Sequence, residues 1–255
     1  MNLPHWLIAH FSPTGTTVKT AKTIVEGSGC PTRELDLSDP AVSGTVGENE
    51  ILLAAVPVYA GRVPAVALER LSRLQGSGQY AVALVVYGNR HYDDALLELT
   101  NALIQNGFQV VAAAATVAEH SIVRSIAAGR PNEADEKAAR DFGAAVLQKC
   151  LQPNREKSTI QVPGHIPYKK PGGVPAYPKG GKGCIQCGVC AKHCPVGAIP
   201  LDAPNRTQKD LCIHCMRCIS ICPQHVRAIS APIYLTIETM LKQVASKPRK
   251  PEFFL

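Results

Sequence analysis

Aromatic residues are scarce: they make up 5% of the 255 residues, with one tryptophan and five phenylalanines among them. No window of about eighteen apolar residues occurs, which excludes a membrane-spanning helix. The opening run from Met1 to His10 carries no positively charged region and its apolar stretch is short, so no secretory signal is expected. No Gly-Lys-Thr follows a glycine-rich turn, which excludes a triphosphate loop. No GxGxxG occurs, which excludes the dinucleotide fingerprint. The basic residues are not interleaved with aromatics, so nucleic acid is not an expected partner.

Cysteine is abundant, with 10 in the chain. Eight fall into two runs, Cys184-Ile-Gln-Cys187-Gly-Val-Cys190-Ala-Lys-His-Cys194-Pro195 and Cys212-Ile-His-Cys215-Met-Arg-Cys218-Ile-Ser-Ile-Cys222-Pro223. Three thiolates at successive three-residue spacings can wrap one face of an iron–sulfur cubane. The fourth, followed by a proline that turns the chain away, points at the other cubane. The spacing therefore assigns Cys184, Cys187, Cys190 and Cys222 to one [4Fe–4S] cluster, and Cys212, Cys215, Cys218 and Cys194 to the other. Zinc ribbons pair CxxC with CxxC and leave the third and fourth cysteines without a role. A disulfide framework needs an oxidising compartment. The thiol-rich chain is thus expected in the cytoplasm. His193 and His214 sit between ligands and are expected to shield or hydrogen-bond sulfur. Cys30 and Cys150 read as structural thiols.

The remainder alternates strand and helix. Trp6–Phe11, Arg33–Leu37, Glu50–Pro57, Tyr80–Tyr87 and Phe108–Thr116 read as strands, most of them continuously apolar and so buried on both faces. Helices are expected over Val18–Glu26, with Gly27 and Gly29 as stops, and over Val63–Leu74, Asp94–Asn106 and Glu133–Leu151. This is α/β, a doubly wound five-stranded parallel sheet with helices on both faces. Ligands of such sheets bind beyond the carboxyl ends of the strands. There the hydroxyl-rich Ser12-Pro-Thr-Gly-Thr-Thr17 joins strand to helix, an arrangement suited to an anion. The same residues would also serve as a plain helix cap.

Residues 153–182 lose all periodicity. Prolines 153, 163, 167, 171, 175 and 178 and glycines 164, 172, 173, 180 and 181 describe a stiff connector expected to wrap the surface, with a flexible tether as the alternative. The expected organisation is 1–152 as the sheet domain, 153–182 as linker, 183–232 as the cysteine domain, and 233–255 as a C-terminal helix (Ile233–Ala245) and tail.

The cysteine runs resemble the bacterial 2×[4Fe–4S] ferredoxins. The Ser12–Thr17 loop, Pro57-Val-Tyr59-Ala-Gly-Arg62 and Tyr87-Gly-Asn-Arg-His-Tyr-Asp93 resemble the FMN loops of flavodoxins. The whole chain resembles the flavodoxin–ferredoxin fusion electron-transfer proteins of anaerobes. That resemblance implies FMN phosphate binding by Ser12, Thr14, Gly15, Thr16 and Thr17. It implies an isoalloxazine framed by Pro57, Tyr59, Ala60, Gly61, Gly88, Asn89 and Tyr92, with Tyr59 or Tyr92 stacking on the ring. Arg62 and Arg90 are placed near the flavin or in solvent. It further implies redox proteins as partners and an electron relay rather than a substrate-specific enzyme. The alternatives are a flavin-dependent reductase of a small molecule, with His91 or His120 as proton donor, and a ferredoxin whose flavin site is vestigial. Charge fits the cofactors. Residues 1–150 carry 12 Lys+Arg against 15 Asp+Glu, while 151–255 carry 15 against 5. Two clusters at about −2 each and a flavin phosphate at about −2 would bring the chain near neutrality.

Overall fold

The computed structural model describes residues 4–152, 160–170, 172–173 and 175–255; Met1 at the start, and Pro153 and Pro171 of the connector, lie outside them. The N-terminal part runs β1 (His5–His10), α1 (Thr16–Ser28), β2 (Thr32–Asp36), β3 (Glu50–Pro57), α2 (Ala65–Leu71), β4 (Tyr80–Tyr87), α3 (Ala95–Gln105), β5 (Gln109–Val117) and α4 (Glu133–Leu151). The strands are apolar along their length because helices cover both faces of a parallel sheet. Alternation then sorts the side chains. Leu7, Ala9, Leu52, Ala54, Ala83 and Val85 enter one buried cluster, whereas Trp6, Ile8, Ile51, Leu53, Val82 and Leu84 enter the other. Each fully buried Leu, Ile or Val among them contributes roughly 1.5–3 kcal/mol.

The sheet departs from the expected five strands. Its order is β2-β1-β3-β4-β5-β8, and the sixth strand, β8 (Glu252–Phe254), pairs antiparallel with β5 through Ala113–Phe254, Ala114–Phe253 and Ala115–Glu252. The chain end thus returns to close the β5 edge, and Phe253 stacks at 4.9 Å on Phe142 of α4. Three residues with no strand-length apolar run carry too little signal to be read as a strand before the edge that receives them is known.

Gly27 was expected to stop the first helix, but α1 continues to Ser28, and Gly29 at φ 66° is the cap. Gly27 serves packing. A Cβ there would lie 1.9 Å from the Arg140 carbonyl oxygen of α4, and one on Gly143 would lie 1.7 Å from the Ile24 carbonyl oxygen of α1. Two glycines, one on each helix, let the backbones touch. The roughly 1 kcal/mol that glycine costs a helix interior is offset by this close approach.

The connector runs across the start of α3. The Asp94 carboxylate accepts from the His165 and Lys169 amides at 2.9 and 2.6 Å, and Asn101 Nδ2 donates to the Tyr168 hydroxyl at 2.8 Å. Downstream come the short strands β6 (Lys179–Gly180) and β7 (Arg227–Ala228), which pair with each other, the single-turn helices α5 (Val189–Lys192) and α6 (Arg217–Ser220), and α7 (Ala231–Val244). The inner face of α7 (Ile237, with Ile233 and Leu241) packs on Val123 and Ile126 of the β5–α4 loop. Among the described residues no helix is long and apolar enough to cross a membrane.

Candidate functional site

The two cysteine runs fold alike. Both place positive φ at the same three positions: Gln186 and His214 (55° each), Gly188 and Met216 (73° and 59°), and Gly197 and His225 (62° and 51°). Four of the six are not glycine, and holding such residues left-handed costs about 1–3 kcal/mol each. The strain turns successive amides towards sulfur. Ala198 N–H donates to Cys194 Sγ at 3.2 Å. Burial raises the Cys222 thiol, but the amides of Val226, Arg227, Gln224 and His225 outweigh it and hold the group below the ordinary thiol range.

These turns enclose two pockets. One is lined by Cys194, Cys212, Cys215 and Cys218 together with Pro195, Ile213 and Met216. The other is lined by Cys184, Cys187, Cys190 and Cys222 together with Ile185 and Arg227. In each, three cysteines come from one run and the fourth from the other. A single ion held at about 2.3 Å from sulfur would draw its thiols to a point, and among the described residues no three His, Cys, Asp or Glu converge in that way. Burial pushes the Cys215 thiol up to about 12, a rise that a cationic core bound among these thiols would offset. Cysteine chemistry, the crossed grouping of the thiols and the sulfur-directed amides together fit two [4Fe–4S] clusters.

The pocket of Cys194, Cys212, Cys215 and Cys218 faces the sheet domain. Ile213 and Tyr59 both pack, partly buried, against the same core cluster of the sheet domain. Arg70 of α2 donates from Nη2 to the Pro195 carbonyl at 2.5 Å. Burial raises the Tyr59 phenol well above its ordinary range, with Cys215 adding to the effect. The other pocket is outermost: Cys187 is exposed and Ile185 is 63% exposed.

At the carboxyl edge of the sheet, Ser12 Oγ accepts the Val18 amide at 3.0 Å. Gly15 at φ 89° opens α1 with no side-chain cap and no acidic residue in the first turn. Nothing lies within 4 Å of where its Cβ would stand. The Thr16 and Thr17 amides therefore begin a helix with the positive end of its dipole uncompensated, and the chemistry of this donor set fits a phosphate. The loop after β3 is fixed by the Tyr59–Arg62 bridge and by positive φ at Ala60 (53°) and Gly61 (87°). Ala60 is exposed, while Pro57 and Tyr59 are half-buried.

The loop after β4 is placed differently. Asn89 is buried, and its Nδ2 donates to the Ala245 and Lys247 carbonyls at 2.6 and 3.0 Å while Oδ1 accepts from Arg249 N–H at 2.9 Å. Tyr92 lies in the core, stacks on His91 at 5.1 Å and donates to Glu252 at 2.9 Å. Both residues hold the C-terminal tail. Gly88 backs onto His120, whose ring would be 2.5 Å from an added Cβ. Arg62 pairs with Glu98 at 2.5 Å, and Arg90 pairs with Asp93. His120 Nδ1 accepts the Ile122 and Val123 amides at 3.2 and 3.1 Å, and burial pushes its pKa down to about 4. His214 stacks near Tyr177 at 4.7 Å and lies in the sheet-facing cysteine loop. Cys30 packs in the apolar cluster beneath α1. The tail's capture of Asn89 had no signal in the sequence, because its carbonyl partners lie 156 and more residues away.

Residues 183–226 match the family described as a 4Fe-4S dicluster domain. No curated protein matches the chain. Among solved structures, a flavodoxin from the domain Archaea is 13% identical, covering 57% of this chain and 97% of its own, with a TM-score of 0.41. The Streptococcus pneumonia TIGR4 flavodoxin is 16% identical, covering 57% and 99%, with a TM-score of 0.42. Fusobacterium nucleatum flavodoxin bound to flavin mononucleotide is 14% identical, covering 58% and 96%, with a TM-score of 0.38. The fold rests on the strand order and not on these overlays. The chain joins a sheet domain of flavodoxin-like topology to a segment that matches a 4Fe-4S dicluster domain.

Proposed function

We propose that the chain is an electron relay between an FMN held at the carboxyl edge of the sheet and two [4Fe–4S] clusters, serving redox partner proteins in the cytoplasm. The observation that carries it is the position of the Cys194, Cys212, Cys215 and Cys218 pocket, whose wall residue Ile213 packs against the core of the sheet domain and whose Cys215 lies close enough to Tyr59 to act on its phenol. When bound, the flavin supplies two-electron exchange divisible into single electrons, and each cluster supplies one-electron exchange.

The chain's own residues hold and order these groups. Ser12, Thr14 and the Thr16 and Thr17 amides hold the phosphate, with the Thr17 hydroxyl beside them, and Gly15 gives the backbone its close approach. Pro57, Tyr59, Ala60, Gly61 and Gly88 would frame the ring. Asn89 and Tyr92 act by anchoring the tail that fixes the Gly88 loop. The cysteines hold the clusters in the crossed sets that line the two pockets. Covalent linkage keeps the carriers at high effective concentration. His120, neutral at pH 7 and accepting two amides, is a poor proton donor, which weighs against it as the donor of a substrate reductase.

Anaerobic purification with cofactor extraction and potentiometry tests the reading. About one FMN and about eight irons per chain are expected from the site types. Iron and sulfide without FMN would sink the flavin half, and a protein without iron would sink the whole.

A further inference from the structure

The two loops that would frame the ring abut. Asp94 N–H donates to the Gly61 carbonyl at 3.2 Å, and a Cβ added to Gly61 would lie 2.1 Å from the Asp93 carboxylate. Each loop is also held by a segment from outside the sheet domain. On one side the connector takes hold. Asp94 accepts the His165 and Lys169 amides, and Lys169 Nζ pairs with Asp93 at 2.7 Å. Arg62 Nη1 donates to the Lys169 carbonyl at 2.5 Å, and its guanidinium sits 5.0 Å from the centre of the Tyr168 ring. On the other side the tail takes hold, through the three hydrogen bonds of Asn89 and through Arg249 Nε, which donates to the Arg90 carbonyl at 2.7 Å.

Both segments meet the cysteine domain at one place. β6 ends the connector, β7 leads into α7 and the tail, and the two strands pair through Lys179 with Ala228 and Gly180 with Arg227. A pairing this short is marginal in isolation. Arg227 braces it by donating from Nη2 to the Pro178 carbonyl at 3.0 Å and to Thr207 Oγ1 at 2.6 Å, and the same side chain lines the Cys184, Cys187, Cys190 and Cys222 pocket. The cysteine domain has little apolar core of its own. Its buried cluster is Cys190, Ala191 and Ile199, with Cys194 and Cys218 packed against them, so most of that core is assigned ligands. A domain of about fifty residues with so little to bury depends on its metal for its fold.

We propose that FMN binding and cluster loading are coupled: loading the cysteine sets orders the β6–β7 ribbon, and the two segments that leave it clamp the 59–61 and 88–92 loops in the arrangement that holds the flavin. This rests on the flavin and two-cluster reading above. Asp94 and Asn89, which grip the two segments, act as positioning residues. Linkage makes the coupling reciprocal, so whatever the clusters add to FMN affinity FMN adds to cluster retention. A chain that loses its clusters therefore loosens its flavin too.

The test titrates the full chain with FMN under anaerobic conditions, reading the dissociation constant from the quenching of flavin fluorescence, in iron-loaded and iron-free forms. The iron-free form should bind FMN at least about fivefold more weakly, the lower end of ordinary coupling between sites. Asn89→Ala with Asp94→Ala releases the tail and the connector while keeping all eight cysteines, and its two forms should bind FMN with a ratio near one. The readout is that ratio and not either affinity, so a general loss of stability does not imitate it. Equal affinities in the two native forms overturn the proposal, as does a ratio that survives in the double variant. If the double variant holds no iron, the native comparison decides alone. If the iron-free native chain is unfolded by circular dichroism, release of iron to a chelator decides: saturating FMN should slow it in the loaded native chain, and no slowing overturns the proposal. A loaded chain that binds no FMN would instead defeat the flavin reading, and a native chain without iron the two-cluster reading.

Discussion

Arg70 of α2 reaches out of the sheet domain and donates to the carbonyl of Pro195, the residue that follows the crossing cysteine Cys194. Its Nη1 holds the Leu37 carbonyl at 2.8 Å, so one buried side chain ties the end of β2 to the cysteine domain. Hydrogen bonds to a charged group contribute about 1.5–3 kcal/mol each. Arg70→Met keeps the apolar stem and loses both bonds. Its thermal midpoint should fall by about 2–4 °C per kcal/mol lost, as for chains of this size. An unchanged midpoint would show that the domains dock without this contact.

Crossed ligation separates two double variants that look equivalent on paper. Cys187→Ala with Cys222→Ala removes two ligands from one pocket, and about four irons should remain in the other. Cys187→Ala with Cys194→Ala removes one ligand from each pocket, and the iron count should fall well below four. If the second pair instead retains about four irons, each run holds its own cluster and the crossing is wrong.

Gly143 touches the backbone of α1 at Ile24, with 1.7 Å left for a Cβ. Gly143→Ala must push α1 and α4 apart, and overpacking of this kind costs typically 1–3 kcal/mol. Because α1 begins at the hydroxyl-rich loop, the displacement should also weaken FMN retention. Thermal melting and flavin content of the purified variant check both; a variant that melts as the native chain does would refute the close contact.

Burial of His120 gives a signed pH dependence. Its folded pKa, about 4, lies below the ordinary 6.5, so folding favours the neutral ring. The contribution is complete above about pH 6.5, is lost as pH falls from 6.5 towards 4, and changes no further below that. His120→Asn retains an acceptor for the Ile122 and Val123 amides without titrating. Its midpoint should fall less than the native one between pH 7 and pH 4.5. Parallel falls in the two proteins would remove His120 from the account.

The grouping of the cysteines around two pockets was legible because its signal is local. Ligand spacing along eleven residues, followed by proline, is a covalent property of the run, and the paired left-handed turns only express it. The parallel strands were legible for a similar reason: both faces are covered, so apolar character runs unbroken along Glu50–Pro57 and Tyr80–Tyr87. The hydroxyl-rich loop before α1 was also readable as a strand-to-helix junction, since its glycine and hydroxyl residues are adjacent in the chain.

Tertiary structure decided what depends on distant partners. Glu252–Phe254 became a strand because β5 offered an unpaired edge, and Asn89 and Tyr92 were drawn from the strand-end site by the tail that arrives with it. Gly27 became a contact and not a stop because α4 lies against it. Tertiary packing alone turned the Cys194, Cys212, Cys215 and Cys218 pocket towards Tyr59 and left Cys187 outermost. Arg227 looks like an ordinary basic residue in the chain and becomes a buried cation only when the two runs close around it. Short-range chemistry is written in spacing, whereas burial and charge environment exist only once remote segments meet.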